Sequence, residues 1–186
     1  MSDLTRAVPI SLQRRLAIAT VSIAICAMLF RAQLSVAVVG RGDGFLQRGQ
    51  LARAMTYYKR ALWIDRSSTL AADRFAFVGY QIRTQLVLQE AIAVSSRALL
   101  DSPNDVQLLF DRAMCHRLLH QDREALRDFS HVATVTHDPR MFRFAAWAAY
   151  RTGQKRLALL YWQLALARDP SSVIPLFARH PTESVR

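Results

Sequence analysis

Apolar and small residues recur along residues 35–170 in a helical spacing that repeats four times. Each copy has an alanine, at positions 54, 91, 125 and 158, so that successive copies lie 37, 34 and 33 residues apart. Another small residue precedes each alanine by twelve positions, and these residues are Gly42, Gly79, Ala113 and Ala146. The residue four positions after each alanine is aromatic in three copies, and the set is Tyr58, Ser95, Phe129 and Trp162. The pattern predicts two antiparallel helices per copy, with close backbone approach at the small residues and larger side chains beside them.

Residues that favour turns separate the predicted helices. Gly49 and Gly153 stand between the two helices of the first and last copies. The second helices are followed by Asp65-Arg-Ser-Ser, Asp101-Ser-Pro-Asn, His137-Asp-Pro and Arg168-Asp-Pro. Proline cannot continue a helix but suits the first turn of the next one. We therefore expect four helix pairs, over residues 35–68, 72–105, 106–138 and 139–170.

This repeat resembles the tetratricopeptide repeat (TPR) family over residues 35–170. The clearest copies read LQRGQLARAMTYYKRALWIDRSS and YRTGQKRLALLYWQLALARDPSS. Ser95 replaces the usual aromatic residue in the second copy, while the third has His116 at a packing position and Val132 in place of alanine. The resemblance implies an all-α fold, a right-handed superhelix of about four helix pairs, with a concave groove lined by the first helices.

The resemblance also implies that the groove binds a protein or peptide. The residues it places in the groove are Phe77, Tyr80, Arg83, Phe110, Met114, Arg117, Arg143, Trp147, Tyr150 and Arg151. Aromatic side chains and guanidinium groups together suit an extended peptide that carries carboxylates. Several of these residues could instead pack between helices or be solvated. The clamp with which some members of the family bind chaperone tails needs lysine and asparagine, where this chain has Val39 and Asp43.

An apolar segment precedes the repeats. Residues 16–30 carry no charge and are flanked by Arg14, Arg15 and Arg31. A membrane span needs about 20 apolar residues, and the segment approaches that length if the flanking residues take part. The favoured interpretation is a tail over 1–10 and a transmembrane anchor over 11–34, in contact with lipid along 12–34. A cleaved signal peptide and a buried helix are the alternatives.

The positions of the arginines leave the orientation of such an anchor weakly determined. Arg6, Arg14 and Arg15 stand before it, and Arg31, Arg41 and Arg48 after it. A short N-terminal tail with an arginine pair favours retention on the cytoplasmic side. We therefore expect a single-pass protein of the inner membrane, with the repeats outside the cytoplasm. No turn signal appears before Gly40, so the anchor and the first repeat helix are predicted to form one continuous rod.

The net charge of +11 comes almost entirely from arginine and favours anionic partners. Nucleic acid is one alternative, but the membrane anchor and the scatter of the arginines argue against it. His116 and His120 share a helix face without a third metal ligand, and Cys26 and Cys115 lie in unrelated contexts. Neither a phosphate loop, a nucleophile motif nor an acid pair is apparent. The sequence thus predicts no enzyme, no cofactor and no metal site.

The C-terminal end is unusually apolar. Residues 157–167 read LALLYWQLALA and show no polar stripe, so the last helix should be covered on more than one side. Residues 171–186 are predicted to form a short cap or tail. If they leave the helix open, it offers an assembly face for a partner or a second copy, formed by Leu160, Leu164, Val173, Ile174, Leu176 and Phe177.

These features predict a membrane-anchored TPR scaffold or assembly factor that mediates protein–protein interactions within a membrane-associated complex. Its partner would be a protein bound through the groove and the C-terminal end, and a homo-oligomer is possible. The alternatives are a soluble or secreted adaptor after signal-peptide cleavage, and a basic helical-repeat protein that binds nucleic acid.

Overall fold

The fold consists of helix pairs stacked along the chain. The structure is a computed structural model that describes the backbone of residues 10–171 and the side chains of residues 14–171. Its helices are α1 (Ile10–Gln47), α2 (Leu51–Ile64), α3 (Thr69–Ile82), α4 (Gln85–Asp101), α5 (Val106–Leu118), α6 (Asp122–Thr136), α7 (Pro139–Arg151) and α8 (Lys155–Arg168). Each helix packs against the next, and α3 also contacts α1 and α5. The described chain is therefore all-α, as the sequence predicts.

The small residues allow close contact within the helix pairs. A Cβ atom added to Gly79 would lie 2.9 Å from the Cβ of Ala91, and one added to Gly42 would lie 2.5 Å from Cε1 of Tyr58. The four repeat alanines are fully buried, as are Ala113 and Ala146. These positions tolerate no larger side chain without a shift of the neighbouring helix.

The aromatic fillers occupy the space beside these contacts. Tyr58 and Phe129 are fully buried and Trp162 is 4% exposed. Ser95 takes the same place in the second pair and is also fully buried, but its hydroxyl oxygen has no hydrogen-bond partner among the described residues. A buried hydroxyl group without a hydrogen bond is unfavourable, so this position contributes less to stability than a buried aromatic ring would.

Turn residues end one pair and begin the next. Ser68, Asp105 and Asp138 each cap a first helix by accepting a hydrogen bond from a backbone N–H, and the shortest of these bonds, 2.8 Å, is donated by Arg140 to Asp138. Within the pairs, the turns need a left-handed residue, which is Gly49 in the first pair and Gly153 in the last. His120 adopts the same conformation, with φ 58°, in the third pair. Because it has a Cβ atom, His120 holds this turn at some cost in backbone strain.

Helix α1 is continuous through the apolar segment and into the first repeat. The side chains from Arg14 to Leu34 are exposed, and burial begins at Ser35 and Val39. Within the described part of the chain, α1 is the one helix long and apolar enough to cross a membrane. A signal sequence can have the same length and composition, so these properties alone leave both interpretations open.

Candidate protein-binding groove

The predicted groove residues on α3 and α5 lie mostly against the core. Phe77 and Tyr80 are half-buried, with ring centroids 5.2 Å apart, and pack on the cluster around Phe75. Phe110 and Met114 pack against α6 and α7, where the Phe110 ring lies 5.7 Å from that of Phe144. These four side chains pack largely between the helices and expose only part of their surface.

Two of the predicted residues on α7, Trp147 and Arg151, line a pocket, whereas Arg143 and Tyr150 do not. Trp147 is 49% exposed and Tyr150 is 41% exposed, and their rings meet edge to face at 6.2 Å. The pocket has a volume of about 540 Å³. Its lining residues are Arg117, Leu118, His120, Asp122, Phe144, Trp147, Ala148 and Arg151. The structure thus brings Arg117, Trp147 and Arg151 together, and it adds Phe144, which the sequence pattern did not assign to the groove.

The groove arginines differ in how far they are already engaged. Arg151 donates from Nε to Asp122 at 2.9 Å, and Arg143 donates to Asp169 at 3.4 Å. Arg117 lies over the Phe144 ring, 6.0 Å from its centroid, and is exposed. Arg83 ends α3 in a left-handed conformation and is also exposed. Among these four, Arg117 is therefore the guanidinium best placed to meet a ligand at the pocket.

Two buried aspartates come together where α3 packs on α5. Asp73 on α3 is 9% exposed and Asp111 on α5 is fully buried. Each carboxyl group shifts the pKa of the other, and a hydrogen bond between two carboxyl groups requires one of them to carry a proton. Asp73 also accepts from Arg74 at 3.0 Å, and Asp111 from Gln107 at 3.3 Å. The expectation that the chain contains no acid pair was wrong, because these residues are far apart in sequence and meet only where α3 packs on α5.

Burial dominates the ionisation of this pair. Burial, followed by the interaction with the Asp73 carboxyl group and its charge, raises the pKa of Asp111 to about 8. Burial also raises the pKa of Asp73. Both carboxyl groups therefore have a pKa above the ordinary value of about 3.9 in an unfolded chain. The native state therefore retains protons that the unfolded state releases, and the free energy of unfolding falls as the pH rises from about 4 to about 8.

The substitution Asp111→Asn should remove much of this pH dependence. An amide has no proton to lose and can donate to Asp73, so the variant should unfold at a temperature at least ~2–4 °C above wild type at pH 8, the shift expected for ~1 kcal/mol. Thermal unfolding followed by circular dichroism at pH 5 and pH 8 measures the effect. Asp101→Asn, at an exposed position, is the matched control and should leave the wild-type slope unchanged. A slope in Asp111→Asn as steep as that of wild type would exclude the pair as its source.

Val39 and Asp43, which occupy the positions of the chaperone-tail clamp, make contacts within this chain. Asp43 accepts from the Tyr58 hydroxyl at 2.7 Å and from Arg74 Nε at 3.2 Å. Burial, followed by the hydrogen bond to Asp43, holds the pKa of Tyr58 far above its ordinary range. Val39 is 1% exposed and belongs to the core. These two residues therefore stabilise the first repeat rather than offering lysine-like or asparagine-like contacts to a ligand.

The predicted assembly face is described only in part. Leu160 is 49% exposed, while Leu164 is half-buried against the cluster around Phe142. Within the described residues, α8 packs on α7, and its outer side includes Leu160. Val173, Ile174, Leu176, Phe177 and the predicted cap over 171–186 lie outside the described residues, apart from Ser171.

The candidate metal ligands do not converge. His116 Nδ1 lies 2.7 Å from Gln121 Oε1, and His120 Nδ1 lies 3.2 Å from Arg151 Nη2. In the part of the chain with described side chains, no group of three or more His, Cys, Asp or Glu residues is arranged to hold a metal ion. Cys115 is buried and Cys26 is exposed, and both are free thiols.

Comparison with solved structures places the fold among TPR proteins. The crystal structure of MamA superposes with a TM-score of 0.66 at 14% identity, covering 73% of this chain and 78% of MamA. A tetratricopeptide repeat protein from Parabacteroides merdae gives a TM-score of 0.63 at 20% identity, covering 79% of this chain and 57% of that one. The second TPR domain of human RPAP3, solved with the HSP70 peptide SGPTIEEVD, gives 0.57 at 20% identity, covering 65% and 97%.

These likenesses concern the fold. No protein-family model matches the chain, and no curated protein matches it in sequence. The all-helical, TPR-like architecture is thus supported by the structure and by its structural neighbours.

Proposed function

We propose that the chain is a membrane-anchored TPR scaffold that binds a protein partner through the groove and so assembles a membrane-associated complex. The observation that carries the proposal is the pocket between α5 and α7. It combines exposed Trp147, the Phe144 ring and the guanidinium of Arg117 around ≈ 540 Å³. Aromatic residues and arginine are the side chains most enriched at the centres of protein interfaces.

The pocket favours a peptide segment with one apolar side chain and a nearby carboxylate. Trp147 and Phe144 offer apolar surface for the first, and Arg117 can donate a forked pair of hydrogen bonds to the second. The RPAP3 domain, whose fold is similar, was solved with a peptide that contains two adjacent glutamates. That likeness supports an acidic peptide in general terms, although Val39 and Asp43 argue against the same clamp in this chain.

The distribution of charge favours a protein over nucleic acid. Arg112, Arg143 and Arg151 are each paired with an aspartate of the same chain. Pairing reduces the positive potential available to a phosphate backbone, whose neutralisation dominates nucleic-acid affinity. The groove also lacks a continuous row of arginines along the described first helices, since Phe77, Tyr80 and Met114 occupy the intervening positions.

The anchor is proposed to be the exposed part of α1, with the protein crossing the inner membrane once and the repeats outside the cytoplasm. The support is the length of α1 and the exposure of its apolar side chains between Arg14 and Leu34. A fully exposed apolar helix surface of this extent is costly in water and is covered by lipid in a bilayer. The C-terminal surface around Leu160 is proposed as a second contact, for the partner or for another copy of the chain.

Substitution of the pocket residues should weaken partner binding without unfolding the protein. Trp147→Ala should weaken partner binding by at least ~30-fold, as expected for a buried interface anchor worth ~2 kcal/mol. Arg117→Ala should weaken it by a smaller factor because the guanidinium lies at the pocket rim. Affinity capture of the full chain from native membranes, with quantitative mass spectrometry, identifies proteins whose recovery falls with both variants.

Leu86→Ala is the matched control. Leu86 is 76% exposed on α4 and does not line the pocket, so the same proteins should remain at wild-type recovery. An unchanged set of proteins in Trp147→Ala would contradict the proposed groove. Retention of the native N-terminus, together with a need for detergent in extraction, would support the anchor, while a shortened soluble chain would support the secreted alternative.

A further inference from the structure

A pair of hydrogen bonds ties the end of the apolar segment to the repeat domain. Arg31 donates to the backbone carbonyl of Ile64 from Nε at 3.1 Å and from Nη2 at 2.9 Å. One turn further along α1, the hydroxyl of Ser35 donates to the carbonyl of Ala61 at 3.2 Å. The C-terminal end of α2 is therefore held beside the residue at which the uncharged segment ends.

An exposed tryptophan lies next to this attachment. Trp63 is 79% exposed, the highest value for any aromatic side chain in the described part of the chain. Arg66, in the following turn, is also exposed, and Leu70 at the start of α3 is 38% exposed. We call Arg31, Trp63, Arg66 and Leu70 the anchor corner. One exposed apolar residue is ordinary on a protein surface, but this one lies next to the end of the apolar segment, where Arg31 is hydrogen-bonded to Ile64.

The length of the uncharged segment sets the depth of the anchor corner. Residues 16–30 form fifteen helical positions, which span about 22 Å at 1.5 Å per residue. The hydrocarbon layer of a bilayer is about 30 Å thick. A helix with this shortfall draws its flanking residues toward the membrane. Because Arg31 is hydrogen-bonded to the carbonyl of Ile64, the end of α2 is drawn to the same depth relative to the membrane.

The chemistry of the corner suits that level. Tryptophan is enriched where the hydrocarbon meets the headgroups, since its ring is apolar while its indole N–H needs a polar partner. Arg31 and Arg66 can meet anionic headgroup phosphates. Asp65 directly precedes Arg66 in the chain, but its carboxylate accepts hydrogen bonds from the backbone N–H and the hydroxyl of Ser67 within the turn.

We propose that the anchor corner is a membrane-contact surface, with Trp63 seated in the headgroup layer of the same bilayer that α1 enters. The inference rests on the proposed membrane anchor and extends it to the repeat domain. It implies that the first repeat lies on the membrane surface, while Trp147, on α7, is held in the aqueous phase.

Tryptophan fluorescence tests this depth in the full chain. The protein is reconstituted into phosphatidylcholine–phosphatidylglycerol vesicles, with bromine atoms placed either near the headgroup end or near the terminal methyl of the acyl chains. Subtracting the emission of Trp63→Phe from that of wild type isolates Trp63. Subtracting that of Trp147→Phe isolates the control residue. Both positions are exposed, and unchanged circular dichroism will verify that each variant folds.

The Trp63 emission should be blue-shifted and quenched at least about two-fold by bromine near the headgroups, and less by bromine near the methyl ends. The Trp147 emission should be unaffected by either lipid. An environment-sensitive label on Cys26, which is exposed on α1, reports separately on the anchor. Buried Cys115 should not react.

The two measurements separate the possible failures. Quenching of the Cys26 label without quenching of Trp63 would overturn the membrane-contact surface and leave the anchor intact. The absence of quenching at both positions would overturn the anchor and the contact surface together. Equal quenching of Trp63 and Trp147 would also overturn the proposal, because it would show that the corner has no special depth.

Discussion

Replacement of Phe129 by alanine is expected to lower the free energy of unfolding by about 3–5 kcal/mol. Phe129 is fully buried in the third helix pair, and its ring stacks on Phe144 at 5.2 Å and lies 6.0 Å from Phe110. It therefore joins α5, α6 and α7. Removal of the ring leaves a cavity that these three helices can fill only by moving together.

Urea and thermal unfolding of the full chain in detergent micelles, followed by circular dichroism, will measure this loss. Stacked repeats need not unfold in one step, so the midpoint and the breadth of the transition should both be compared. Val135→Ala is the matched control, because Val135 is on the same helix but 52% exposed. It should stay within ~0.5 kcal/mol of wild type. Equal losses in the two variants would contradict the role assigned to Phe129.

Loss of the Arg112 guanidinium should destabilise the chain by a similar amount. Arg112 donates from Nε and Nη2 to the two oxygens of Asp128, both at 2.8 Å, and from Nη1 to Ser96 at 3.1 Å. The side chain of Asp128 is 4% exposed. Arg112→Met leaves that carboxylate buried without a counter-charge, which costs about 3–5 kcal/mol in comparable cases.

The double substitution Arg112→Met/Asp128→Leu distinguishes the cost of an unpaired charge from a net benefit of the ion pair. It should recover most of the stability, since apolar replacements of buried pairs are often neutral or favourable. Lys59→Met breaks the exposed pair with Glu90 and should change stability by no more than ~1 kcal/mol. If the double variant is as unstable as Arg112→Met, the pair itself contributes the missing stability. Unfolding midpoints of all three variants in the same detergent provide the comparison.

The features predicted well from the sequence are those fixed by local spacing. A single turn separates the two helices of each pair. It brings the alanine at 54, 91, 125 or 158 close to the helix that carries the small residue twelve positions before it. Their side chains must face the neighbouring helix wherever the pair forms. The presence of helix pairs and the burial of Tyr58 and Phe129 follow from that local geometry.

The features missed depend on how different pairs stack. Asp73 and Asp111 meet because α3 contacts α5, and no spacing within one copy indicates that contact. The engagement of Arg151 by Asp122 likewise joins two neighbouring pairs. Phe144 reaches the pocket because α7 lies beside α5, although its apolar character alone would place it in the core. The helices can thus be predicted from sequence, but the ion pairs between neighbouring helix pairs cannot.

The repeat domain and the apolar segment share one unbroken helix, α1, from Ile10 to Gln47. An α-helix resists twisting, so the orientation of the repeats around the helix axis is coupled to the orientation of the apolar segment. Each residue inserted or deleted just before Ser35 would turn the repeats by about 100° around the helix axis and shift them by about 1.5 Å. The number of residues in α1 therefore fixes how the repeats are rotated, around the axis of that helix, relative to the apolar segment.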